Sequence, residues 1–346
     1  MKTRTILNVV IWGLILSIFA GCVQNKAKEA KETKLAPEAK KEAKLTLPKG
    51  GKDKMMLRFS PQQETNYKVV SESTKDYSFV QPSINKSKER HTVWRTEMVF
   101  AQKIESVDRQ GNATADITIK KLKYLSQDPE GKMLDFDSAA ESGKKDALFV
   151  IIGQSYKIKI TPDGKVEVID AKAAREAVKG ESSAAKIAGR LLSDDEIIGR
   201  HQVLALNDAG KNPAKKGDKW STVAASPAGM LRPKTFEKVY TLTDIKKGNG
   251  SNIATVTMEG SPSSKHIPEG SEKESVTSFF ANMFDEKDNY NGKMVLNLTA
   301  GEIENYQELL KVEWLAVEPL KEKESDKTPD QLTMGFTNLY SIEKTE

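Results

Sequence analysis

Short runs of alternating apolar and polar residues, separated by glycine-containing turns, constrain this chain more than any other feature. Residues 92–100 read Thr92-Val93-Trp94-Arg95-Thr96-Glu97-Met98-Val99-Phe100, rich in β-branched and aromatic residues. The turn signal Asp108-Arg109-Gln110-Gly111-Asn112 follows, and then Ala115, Ile117 and Ile119 alternate with polar neighbours. A period of two places those three side chains on one face, so the segment predicts a hairpin with one face buried. Residues 155–160 alternate in the same way, Thr161-Pro162-Asp163-Gly164-Lys165 turns the chain, and residues 166–169 return it. An earlier segment, Tyr67-Lys68-Val69-Val70-Ser71-Glu72, starts the series.

The second half repeats the scheme. Gly217-Asp218-Lys219-Trp220-Ser221-Thr222-Val223 echoes the segment around Tyr67. Residues 236–245, the turn Lys246-Lys247-Gly248-Asn249-Gly250 and residues 253–258 echo the first hairpin, and residues 293–304 echo the second. The match lies in pattern and spacing, as in a duplication, although any antiparallel protein produces similar hairpins. Between the halves, residues 171–178 and 183–192 are Ala-rich, with Ile187, Leu191 and Leu192 at helical spacing. Ser193-Asp194-Asp195-Glu196 is a capping box before Ile197 and Ile198. The Lys-, Pro- and Gly-rich stretch 210–217 marks the boundary between lobes. Residues 310–317 and 332–342 predict closing strands. Val276, Phe279, Phe280, Met283 and Phe284 form a helical stripe after Ser271, read as core rather than a ligand pocket. The expected fold is therefore β-rich α+β: antiparallel curved sheets or half-barrels, arranged as two pseudo-repeated lobes with an inter-lobe helical segment. The divisions are 1–21 leader, 22–52 tether, 53–209 first lobe with C-terminal helices, and 210–346 second lobe.

Charge sharpens this division. The chain carries 54 Lys/Arg and 49 Asp/Glu, a formal net charge of +5. Residues 1–50 hold ten of the basic and four of the acidic groups, which leaves 44 basic and 45 acidic residues in 51–346. The body is close to neutral, and its composition does not support a nucleic-acid partner. One cysteine excludes an intrachain disulfide framework and a cysteine-built metal centre. The three histidines, His91, His201 and His266, are far apart in sequence and read as surface or packing residues, so no metal or cofactor site is expected. Asp285-Glu286-Lys287-Asp288-Asn289-Tyr290-Asn291-Gly292 looks like a calcium loop. Counting back from Gly292, however, puts Lys287 and Leu298 where carboxylates are required. Gly153-Gln154-Ser155-Tyr156 lacks the closing glycine of a nucleophile elbow. Asp135-Phe136-Asp137 reads as a solvated turn and Asp194-Asp195-Glu196 as a helix cap, so no catalytic residue is assigned.

The leader has a basic start, Met1-Lys2-Thr3-Arg4, then an apolar run over residues 6–19 interrupted by Asn8, Gly13 and Ser17. That run is shorter than the ~20 residues of a spanning helix. It ends in Phe19-Ala20-Gly21-Cys22. This resembles a bacterial lipoprotein signal, with Phe19 where that family usually has Leu. The resemblance implies cleavage between Gly21 and Cys22, and lipidation, palmitate included, on Cys22. Each buried methylene contributes ~0.8 kcal/mol and one acyl chain anchors only marginally, whereas two or three on one cysteine hold permanently. Val23, rather than the Asp of inner-membrane retention, implies the outer membrane, facing the periplasm, in a diderm cell, or the outer face of the cytoplasmic membrane in a monoderm. The Lys/Ala/Glu-rich segment 23–50 contains no aromatic residue and reads as a solvated spacer. A coil of that kind averages about 25–30 Å end to end.

Leu57-Arg58-Phe59, the Gly111 hairpin, Gly153-Gln154-Ser155-Tyr156 with Pro162-Asp163-Gly164-Lys165-Val166, and Gly217-Asp218-Lys219-Trp220 resemble an uncharacterised family of bacterial envelope proteins, often lipoproteins. That family lends no catalytic residues. A looser likeness is to the curved, helix-covered sheets of lipoprotein-carrier and lipid-binding lipoproteins, and likeness of fold does not establish a cargo. Three functions stay open. The first is a non-enzymatic envelope lipoprotein, attached to the membrane by its lipid, that binds a protein partner or serves a structural role. The second is a carrier or sensor of a lipid or other apolar ligand, distinguished by an apolar cavity under the helices. The third is a hydrolase with scattered acidic residues.

Overall fold

In the computed structural model the described residues are 53–248, 250–264, 284–318 and 328–346. The Gly111 hairpin forms as its alternation requires, from β2 (Lys86–Val107) and β3 (Ala113–Gln127), with Ala113, Ala115, Ile117 and Ile119 fully buried. The Gly164 hairpin joins β5 (Ser155–Ile160) to β6 (Val166–Asp170). β1 (Glu64–Gln81) pairs with β2, and short β4 (Met133–Asp137) pairs with β3. The Asp135-Phe136-Asp137 cluster therefore lies in a strand rather than a turn. Phe136 is buried, while the Asp137 carboxylate accepts the Ala139 N–H, 2.9 Å, where the strand ends. In the second half, β7 (Lys219–Ala225), β8 (Thr235–Gly248), β9 (Ser251–Ser263), β10 (Asp285–Asn297), β11 (Glu302–Val317) and β12 (Gln331–Thr345) follow in series.

All twelve strands belong to one open, curved antiparallel sheet in the order β6-β5-β3-β2-β1-β12-β11-β10-β9-β8-β7, with β4 beside β3. The described chain starts and finishes in the middle of this sheet, where β1 pairs with β12. β7 to β11 and β1 to β6 cross the sheet in the same direction, on either side of β12. The two edges, β6 and β7, are consecutive in the chain. The helices α1 (Lys172–Ala177), α2 (Ser183–Leu191) and α3 (Asp194–His201) lie between them in sequence. The aromatic stripe after Ser271 falls outside the described residues, except for Phe284, which packs against the core.

One face of the sheet carries the core. Phe100 stands between Tyr67 and Ile119, and Val69 stands between Met98 and Ile342, all buried. On β8 to β11 the same face is partly ionic. Lys238 on β8 is 4% exposed, and its Nζ lies 2.6 Å from Glu308 Oε2 on β11. Two strands lie between β8 and β11, so this contact requires a strongly curled sheet. Gly260 permits the curl: a Cβ there would sit 2.9 Å from Tyr290, whose ring lies over the glycine. The Tyr290 hydroxyl donates to Glu308 at 2.8 Å, the Tyr306 hydroxyl bonds the other carboxylate oxygen, and Lys238 Nζ sits 4.8 Å from the Tyr290 ring centroid. Burial, reinforced by the Glu308 charge, pushes both phenols above their ordinary range, so they remain donors.

A buried charge is costly once its partner is gone. Lys238→Met is expected to destabilise the protein by about 3–5 kcal/mol, and the Lys238→Met, Glu308→Leu pair to cost less than the single change, measured by urea unfolding.

Candidate functional site

Helix capping and buried polar contacts fix the helical segment against the sheet. Ser182 caps α2 by accepting the Ala185 N–H at 3.1 Å, and Ser193 caps α3 by accepting the Glu196 N–H at 3.3 Å, so the acidic cluster 194–196 is the first turn of a helix. Ala188, Leu191 and Ile197 supply the buried apolar side. Side chains of the sheet hold this segment from both halves. Arg200 donates to the Tyr156 hydroxyl on β5 at 3.1 Å and to the Leu191 carbonyl at 2.7 Å. The Tyr340 hydroxyl on β12 donates to the Arg200 carbonyl at 2.9 Å, and Trp220 Nε1 on β7 donates to the Ala205 carbonyl at 2.8 Å.

His201 is buried in this joint. Its Nε2 lies 2.7 Å from the Tyr156 hydroxyl, and its ring meets Phe100 edge-on at 4.5 Å. Burial, with the Arg200 charge adding to it, holds His201 well below the ordinary histidine range, so the ring is neutral. It is a packing residue, as its sequence context suggested. His91 is exposed and pairs with Asp76 at 2.7 Å.

Above this joint the inner face remains open as a trough along β1, β2 and β12. Under α3 and residues 227–228 lies a cavity of about 390 Å³, with Val69, Met98 and Leu191 among its apolar walls and Thr96 and Trp94 on its floor. Past Trp94 it adjoins a cavity of about 540 Å³ lined by Ser73, Lys75, Thr92, Tyr124 and Arg190. A third, of about 330 Å³, shares Lys75 and Thr92 and is walled by Tyr77, Leu231, Trp314, Met334 and Phe336. The Thr96 hydroxyl and Trp94 Nε1 are buried with no hydrogen-bond partner. Arg190 donates to the Tyr124 hydroxyl at 3.1 Å and stands over the Trp94 ring at 5.3 Å. Lys75 reaches across to residue 229, where a Cβ on Gly229 would fall 2.8 Å from its Nζ. Among the described residues neither Arg190 nor Lys75 has a carboxylate partner. The carboxylates on the rim are Asp76, Asp128, Asp195 and Glu196. Of these, Asp76 is held by His91, and Asp128 by the Glu130 and Lys132 N–H groups.

A separate cavity of about 510 Å³ lies at the opposite end of the strands, lined by Leu57, Phe59, Val107 and Pro162. Its charged groups are already paired: Gln63 and Lys344 bond Glu302, and Arg58 bonds the Leu298 carbonyl. The trough is therefore the better candidate.

Gly21 and Cys22, the expected cleavage and lipidation positions, lie outside the described residues. No described helix is long and apolar enough to cross a membrane. The calcium-like stretch is the start of β10, where Glu286 and Asp288 both pair with Lys234, and no group of His, Cys, Asp or Glu among the described residues could hold a metal ion. Sequence reasoning missed Lys75, Trp94, Thr96 and Arg190 as a group. The one linear signal was the Trp within a strand rich in β-branched residues.

No family model and no curated protein matches the chain. Among solved structures, it is similar to a chain of lipovitellin, from work on lipid–protein interactions in that protein, at 9% identity and a TM-score of 0.36. The alignment covers 84% of this chain and 26% of the lipovitellin chain, so this chain spans about a quarter of its length.

The neutral His201 sets a pH dependence. As pH falls below about 6.5, the unfolded chain takes up a proton that the folded site refuses, so stability is full above that pH and is lost on acidification. Unfolding midpoints in urea between pH 7.5 and 5 are expected to show this loss, with a slope of up to about 1.4 kcal/mol per pH unit from this one group. In His201→Gln the slope is expected to be shallower.

Proposed function

We propose that this chain is a lipid-anchored binding protein of a bacterial envelope that holds an apolar or amphipathic molecule in the trough and performs no chemistry on it. The observation that carries the reading is the trough itself, with Val69, Met98 and Leu191 among its apolar walls. Mostly apolar clefts with a few placed polar groups are the usual form of small-molecule sites. The anchor rests on the Phe19-Ala20-Gly21-Cys22 motif and on the spacer after it. In a diderm cell the protein faces the periplasm from the outer membrane. In a monoderm it sits on the outer face of the cytoplasmic membrane.

Two measurements test this reading. Metabolic labelling with palmitate is expected to mark the wild-type protein and to be lost in Cys22→Ala; label persisting in that variant would remove the anchor. Full-length protein purified in dodecyl maltoside is expected to retain bound detergent in native mass spectrometry. Asn338→Trp, which puts a large ring into the trough, is expected to reduce that retention at least tenfold with an unchanged melting temperature. Equal retention in both proteins would remove the trough as the binding site.

A further inference from the structure

We propose that β7 is an association surface for a second copy of this chain, paired antiparallel about a two-fold axis at Ser221 and joining two twelve-stranded sheets into one. The inference goes beyond the trough and needs neither its ligand nor the lipid. β7 is one edge of the sheet, and its register with β8 runs unbroken from Lys219 opposite Thr241 to Ala225 opposite Thr235. At the two ends of this ladder the Leu242 N–H donates to the Asp218 carbonyl at 2.9 Å and the Ser226 N–H to the Lys234 carbonyl at 2.7 Å. Bonded and unbonded pairs alternate in an antiparallel ladder, so the even-numbered residues of β7 are the ones that bond β8. Lys219, Ser221, Val223 and Ala225 therefore point their N–H and C=O groups away from the sheet, and all four are exposed. Among the described residues no further backbone bond reaches them.

Water can satisfy an open edge, so the free groups alone decide nothing. What singles out β7 is that it lacks the devices by which edges are guarded: charge, proline, a bulge or a cover. The opposite edge has them. β6 is five residues long, carries Glu167 and Asp170, pairs with β5 across an irregularity at Lys157/Ile158 and has α3 packed on it. β7 reads Lys219-Trp220-Ser221-Thr222-Val223-Ala224-Ala225, uncharged after its first residue and without proline. Val223 is 43% exposed and stands diagonal to exposed Val239 of β8 on the outer face.

The charges nearby select a copy of the chain as the partner. Glu237 stands opposite Val223 on that same face. With Ser221 opposite Ser221 of the second copy, Lys219 of each chain falls opposite Val223 of the other, in the same row as Glu237. The aliphatic stem of the lysine then covers the valine while its ammonium reaches toward the carboxylate, once on each side of the axis. No like charges stand opposite each other in this register. The contact is self-complementary, as a two-fold interface has to be. One strand pair lies at the small end of specific interfaces, so the association is reversible rather than obligate.

The test uses the full-length chain with Cys22→Ala, in which an introduced cysteine is the only thiol. Opposed residues of an antiparallel pair have Cα atoms about 4.5–5.5 Å apart, within disulfide range. Ser221→Cys is expected to oxidise to a covalent dimer at least tenfold faster than Glu167→Cys, which is exposed on β6 and reports random collision. An equimolar mixture of Lys219→Cys and Val223→Cys chains is expected to cross-link as fast as Ser221→Cys. Val223→Lys, which sets a lysine against Lys219 of the other copy, is expected to slow cross-linking of Ser221→Cys at least tenfold with an unchanged melting temperature. Sedimentation of the Cys22→Ala chain is expected to show a dimer that grows with concentration. Cross-linking of Ser221→Cys no faster than that of Glu167→Cys, or a chain that stays monomeric at every concentration, overturns the proposal. The edge is then satisfied by water, by another protein or by a segment of the same chain. A dimer that survives Val223→Lys lies elsewhere on the molecule and overturns it as well.

Discussion

The fold depends on a pairing between the two ends of the described chain. β1 and β12 run antiparallel from Asn66 opposite Thr345 to Val80 opposite Gln331. Without that ladder each half would present a long edge of unmet N–H and C=O groups, a template for pairing with other chains. With it, the remaining edges are β6 and β7. Loop-closure entropy grows only slowly with the length enclosed, so a long continuous ladder can offset it. The pairing also places Val69 beside Ile342 and Ser71 beside Tyr340, so the floor of the trough exists only once the ends of the chain have met.

The two halves then fill the same inner face by different means. On β2, β3 and β5 the apolar side chains are covered by α1 to α3, and the covering is locked by Tyr156, Arg200 and His201. On β8 to β11 the sheet curls far enough to cover itself, with Lys238, Glu308 and their tyrosines filling the curl and the Tyr290 ring lying over Gly260. A helix cover on one side and a self-closing curl on the other meet along β1, β2 and β12, where the cover touches the sheet through Arg200 and Tyr340 and leaves the rest of that face uncovered. The trough is the space between them. Its position follows from how each half solves its own packing.

Much of this architecture is written in local pattern. β3 and β5 alternate because one of their faces is fully buried, and the helix cap at Ser193 falls where the sequence puts it. The distal half of β1 and the start of β2 carry no such signal. Residues 73–91 are mostly polar and largely exposed, and they are strands because of backbone pairing alone. The first turns of β10 look like a loop for a related reason: Glu286 and Asp288 occupy inward positions normally held by apolar residues, and they do so because Lys234 meets them there. The β1–β12 pairing is invisible to any local reading. So is the candidate site, since Lys75, Trp94 and Arg190 converge only after the sheet has curved and α2 has docked on it.

Around Trp94 the trough shows how this face treats its polar groups. A tryptophan on the inner face of a strand could serve the core through its ring alone, as Phe100 and Phe236 do from similar positions. Phenylalanine in place of Trp94 would keep most of that area and avoid an unmet N–H. The chain keeps the donor buried and stands an exposed guanidinium, that of Arg190, over the same ring. Deeper on the inner face, where burial makes a lone charge costly, Lys234 and Lys238 are given two carboxylates and one respectively. Lys75 and Arg190 are exposed to water and need no such partner, so on this face pairing follows burial.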